Sequence, residues 1–127
     1  MTAAVDRVMT GRLDDGTYLV SATGELDEAT VRLLVGEIER ISGGVAIRIV
    51  IDVTRAGVLD RTAVGELRAV AAGTDAAGGR IVFVSDDPRA LRELRGETGV
   101  GPTVYAERTL TEALASATPR RMPLRSP

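Results

Sequence analysis

The amino-acid sequence predicts one α/β domain, a mixed β-sheet with parallel crossovers packed against about four α-helices. Two observations lead there. Segments rich in Val and Ile alternate with segments whose apolar residues recur at helical spacing, and a hairpin precedes the first of these alternations. A chain of 127 residues also suits a single hydrophobic core and is too short for two.

The first apolar segment, Val5 to Leu13, ends at Asp14-Asp15-Gly16, a hairpin turn, and a second strand follows from Tyr18 to Thr23. Gly24-Glu25-Leu26-Asp27 breaks that strand, with Asp27 placed to cap a helix. Val31, Leu34, Val35, Ile38 and Ile41 then give one apolar face, and Ser42-Gly43-Gly44 stops the helix. Ile47 to Val53 is almost continuously β-branched, as a central strand covered on both faces must be. A loop leads to Asp60 and a second helix from Arg61 to Gly73, with Val64, Leu67, Val70 and Ala71 inward. Gly78-Gly79 turns the chain into the buried strand Ile81 to Val84. Asp87-Pro88 opens a third helix that ends near Gly99. A short strand, Thr103 to Tyr105, precedes the capping box Thr109-Leu110-Thr111-Glu112 and a last helix. The domain is therefore placed at residues 1–117. Residues 118–127, with Pro and Arg and no apolar periodicity, read as a disordered tail.

Composition removes several function classes. All sixteen basic residues are Arg and the net charge is −2, so no concentrated basic surface points to nucleic acid. There is no Cys and no His, which removes the thiolate nucleophile, the commonest general base and the usual zinc ligands. Neither double glycine continues into the Lys-Ser/Thr of a phosphate loop, and no G-x-G-x-x-G occurs. No metal or cofactor is expected. Met1 to Thr10 lacks the form of a signal peptide and no apolar run reaches the length of a membrane span, so the expected location is the cytoplasm.

Of the acidic pairs, Asp14-Asp15 and Asp86-Asp87 sit in turn or cap contexts and read as structural. Arg89, Arg92 and Arg95, interleaved with Glu93 and Glu97, read as a solvated helix face. Asp60 reads as a helix cap, with Arg61 and Thr62 in the first turn beside unpaired N–H groups and the positive end of the helix dipole.

Two segments at matching separation, Gly24-Glu25-Leu26-Asp27 and Val58-Leu59-Asp60-Arg61-Thr62-Ala63-Val64-Gly65, resemble the STAS family of anti-sigma factor antagonists. The order of elements agrees from about Ala4 to Ala117. The resemblance implies that Thr62 is the residue a partner kinase phosphorylates. It also implies that Glu25, Asp27, Asp60, Arg61, Thr62 and Ala63 form the surface that meets that partner. The partner implied is a cytoplasmic anti-sigma factor with serine/threonine kinase character, and a phosphatase would reverse the modification. The chain would be a substrate and binding protein, not an enzyme. Two positions depart from the family pattern: Arg61 stands for a hydroxyl residue and Ala63 for glycine. They favour the alternative of a STAS module that binds its partner constitutively, as a scaffold or stress-complex subunit, with the Ala63 methyl expected to obstruct a docking kinase. A second alternative is a small nucleotide-binding protein, with Asp52, Asp60 and Thr62 lining a cleft at the strand ends.

Overall fold

The computed structural model describes residues 8–13, 16–43, 47–59, 61–96 and 104–117, and of Leu26, Val58 and Leu59 the backbone alone. The expectations for Asp14-Asp15, Asp60, Gly99 and the 118–127 tail lie outside the described residues.

Strands β1 (Val8–Arg12) and β2 (Tyr18–Ala22) form the expected antiparallel hairpin. Its turn closes where the Leu13 N–H donates to the Thr17 carbonyl at 2.8 Å, and Gly16 takes a left-handed φ of 89° that glycine adopts without strain. After β3 (Gly24–Leu26) comes helix α1 (Glu28–Ser42), capped as expected: the Asp27 carboxylate accepts from the Thr30 N–H at 3.0 Å, and Gly43 ends it. Then follow β4 (Arg48–Asp52), β5 (Ala56–Leu59), α2 (Arg61–Ala76) and β6 (Arg80–Val84). Helix α3 (Pro88–Arg95), strand β7 (Tyr105–Glu107) and helix α4 (Leu110–Ala117) complete the described elements.

The main sheet runs β1-β2-β4-β6-β7, antiparallel at β1 and parallel elsewhere, so the expected mixed sheet with parallel crossovers is present. Side chains alternate across it. Val20, Ile49, Ile51, Ile81 and Phe83 face α1, α2 and α3, while Val50, Val82 and Val84 face Ala113 and Ala117 of α4. That two-sided cover is why β4 and β6 read as unbroken apolar runs.

Several details differ from the sequence expectation, and the last strand lies at Tyr105–Glu107 instead of Thr103 to Tyr105. The Gly24–Asp27 break and the loop before Asp60 each contain a short strand, and β3 and β5 pair in parallel as a separate two-stranded sheet. Strands of three and four residues are too short to show alternation, and each exists only because the other lies beside it. Helix α2 runs past Gly73 to Ala76, because an exposed glycine weakens a helix without ending it. Helix α3 stops at Arg95, where Gly96 takes a left-handed φ of 81° and the Arg68 guanidinium fills the space a Cβ would need. Arg95 is also not part of a solvated face: its Nε and Nη2 donate to the Ala106 carbonyl at 3.0 and 2.8 Å, tying α3 to β7.

Candidate functional site

The pairing of β3 with β5 joins the two segments that the sequence singled out. Gly24 lies opposite Ala56 and Leu26 opposite Leu59, with a register irregularity between them. Glu25 therefore sits in the strand beside the segment that leads directly into α2. Gly24 enters that strand with φ 83°, a backbone turn that separates it from β2.

The candidate residues do not share one environment. Glu25, Arg61 and Thr62 are exposed, Asp27 is half-buried with its carboxylate engaged in capping α1, and Ala63 is 1% exposed among the core residues. The expected contact between the Ala63 methyl and a docking partner is thus corrected. The second and third residues of α2 lie on different faces of the helix, and Ala63 faces inward with Val64 and Leu67. What position 63 offers outward is backbone only.

Arg61 begins α2, where a cation opposes the helix dipole. Glu93 of α3 compensates, with its carboxylate 3.4 Å from Arg61 Nη2; the Arg61 side chain is 84% exposed and that of Glu93 26%. Nothing in the sequence marks Glu93 as a member of this surface, since it lies 32 residues downstream and reads as one charge in a mixed helix face. No acidic residue lies in the first turn of α2 among the described residues. The corner therefore presents exposed Thr62 and Arg61 together.

Asp52 and Thr62 are not brought into one cleft. Asp52, whose Oδ1 accepts the Thr54 N–H at 2.9 Å, opens instead into a groove of about 440 Å³ shared with Met9, Leu19, Ser21 and Arg55. Thr62 is not among the residues lining it. Asp87 caps α3, its Oδ1 accepting from the Arg89 N–H at 3.0 Å, as its Asp-Pro context predicts. Among the described residues no group of three or more acidic side chains is gathered to hold a metal ion. No described helix is long and apolar enough to cross a membrane.

Neither a protein-family model nor a curated protein sequence matches this chain. Solved structures do. A serine-to-glutamate variant of RsbS from Moorella thermoacetica superimposes with a TM-score of 0.68 at 23% identity, covering 88% of this chain and 95% of that one. The anti-sigma factor antagonist SpoIIAA in its unphosphorylated form gives 0.62 at 22% identity, covering 86% and 94%. A candidate anti-sigma factor antagonist from Thermotoga maritima gives 0.67 at 16% identity, covering 88% and 95%. The chain has a STAS-like fold. The coverage spans 86–88% of this chain and 94–95% of each neighbour. At these identities the likeness establishes architecture and leaves side-chain roles to the chemistry of this chain's own surface.

Proposed function

We propose that this protein is an anti-sigma factor antagonist of the cytoplasm, which binds a kinase-type anti-sigma factor and is released from it when Thr62 is phosphorylated. The observation that carries the reading is the β3–β5 pairing. It places Glu25 and the Asp27 cap next to the corner where exposed Arg61 and Thr62 open α2. Asp60, Arg61 and Thr62 would form the centre of the docking surface and Glu25 and Asp27 its rim. With Ala63 turned inward, its methyl presents no obstacle to a kinase backbone.

Phosphorylation here has a definite physical consequence. A phosphate on Thr62 adds close to two negative charges at a helix N-terminus, where the dipole and the leading N–H groups tolerate them. The same charges buried against a protein partner without a matching cation cost several kcal/mol, enough to dissociate a micromolar complex. Arg61 is the nearest cation along the chain, and its partner Glu93 would compete with the phosphate for it. A phosphatase would restore the binding form.

Capture of partners from the native cytoplasm, with Thr62 modification read by mass spectrometry, tests this. A kinase-like anti-sigma factor retained by the parent and by Thr62→Ala, and lost by at least about tenfold in affinity with Thr62→Glu, is the expected result. Equal affinity for all three, with Thr62 never modified, would replace the switch by constitutive docking on the same fold.

A further inference from the structure

The two edges of the main sheet are treated differently. At the β7 edge Arg95 occupies the Ala106 carbonyl through two hydrogen bonds, and the Arg80 guanidinium lies 4.2 Å from the Tyr105 ring centre. That edge is short and already engaged. The β1 edge has five residues, Val-Met-Thr-Gly-Arg, with no proline and no acidic residue, and among the described strands β1 pairs with β2 alone. Edge strands without such protection are templates for further pairing.

We propose that two copies of this chain join β1 to β1, antiparallel about a two-fold axis at Thr10, making one continuous sheet. Three features of the edge suit that occupant. The first is the phase of the hairpin. The Leu13 N–H bonds to the Thr17 carbonyl, and in an antiparallel pair bonded and non-bonded positions alternate. Gly11 and Met9 therefore bond inward to β2, and Val8, Thr10 and Arg12 direct their N–H and C=O groups outward. Symmetry about Thr10 sets Thr10 against Thr10 and Val8 against Arg12, so every outward group meets its complement.

The second feature is a knob and a hole. Met9 is 65% exposed on the sheet face where α4 packs over β4, β6 and β7. In the paired arrangement Met9 stands opposite Gly11 of the second copy, at a non-bonded position where side chains approach closely. A Cβ built on Gly11 meets nothing within 4 Å, so the room above it is open to the methionine. The two-fold makes the contact twice.

The third is the flank of α1. Glu37 accepts a hydrogen bond from the Thr10 hydroxyl, which fixes that flank on the β1 side. Leu33, Gly36, Glu37 and Arg40 follow one another along it at helical spacing, and Leu33 is 46% exposed. The two-fold lays the flanks of two α1 helices antiparallel, an apolar and a small residue beside an acid and a base. Such a surface, carrying both signs, is complementary to itself. None of these residues belongs to the corner at Thr62, so the pairing stands apart from the proposed switch.

Sedimentation velocity on the full chain, from about 1 to 200 μM, reads the outcome. The parent is expected at twice the 13.3 kDa chain mass at the upper concentrations. Gly11→Val and Met9→Lys change positions that are open in one copy and filled in two, and should weaken association about tenfold or more with unchanged circular dichroism. Thr10→Cys supplies a register test, since the chain has no other cysteine. Bonded antiparallel partners lie about 5.5 Å apart at Cα, within disulfide range, so mild oxidation should give a covalent dimer. A parent that stays at single-chain mass throughout overturns the proposal. So do folded Gly11→Val and Met9→Lys proteins that associate like the parent, or a Thr10→Cys protein that does not cross-link.

Discussion

The central strands and the β3–β5 corner follow opposite plans. In β4, Ile49, Val50 and Ile51 are all fully buried, one face under α1 and α2 and the other under α4. At the corner the strands have three and four residues, and the residues beyond them alternate between exposed Arg61 and Thr62 and buried Ala63 and Val64. The centre holds the molecule together, and the corner carries the proposed docking surface. Under the proposed function, stability and recognition are separable: a change in the centre should alter folding, and a change on the outer half of the corner should alter docking.

The largest expected effect lies at Phe83, the single Phe of the chain and fully buried. Phe83→Ala should lower the free energy of unfolding by about 3–5 kcal/mol, measured by urea denaturation, because the cavity lies between elements that cannot collapse together. Ala63→Gly comes next and probes the inner half of the corner. It places glycine where the family pattern has it, and should cost about 1–2 kcal/mol of stability through helix propensity and a lost buried methyl. Partner affinity should be unchanged, and a gain in affinity would mean that position 63 is felt at the docking surface after all.

Arg61→Ala should do the reverse. Its ion pair with Glu93 is exposed, so stability should move by less than about 1 kcal/mol, while partner affinity responds. If denaturation shows a larger loss with docking intact, Arg61 is a strut between α2 and α3. The smallest effect concerns Glu37, whose carboxyl is held below the usual carboxylate range by hydrogen bonds from Arg40 and then Thr10. With its folded pKa depressed, Glu37 contributes stability above the unfolded carboxylate value of about 4.3 and loses it as pH falls below that. The parent should thus lose stability on acidification more steeply than Glu37→Gln, in parallel denaturation series between pH 3 and 6.

Much of this was legible from residue order because the signals are local. The Asp27 cap, the Asp87-Pro88 start of α3 and the Thr109–Glu112 box each act within one helical turn, and in each the capping side chain accepts a backbone N–H; the Glu112 carboxylate accepts from the Thr109 hydroxyl. The continuous apolar runs of β4 and β6 likewise require cover on both faces wherever they lie. The candidate corner was legible by resemblance to a family pattern, and its two segments turn out to be neighbours.

Residue order alone dictates the alternation of strands and helices, their caps and the apolar faces that must be buried. The existence of β3 and β5, the inward Ala63 beside the outward Thr62, and the contacts of Glu93 and Arg95 to α2 and β7 depend on the assembled fold. The two groups differ in distance along the chain. Capping and periodicity are set within a few residues, whereas a short parallel pair or an interhelical charge contact gains its free energy only after the core has brought remote segments together.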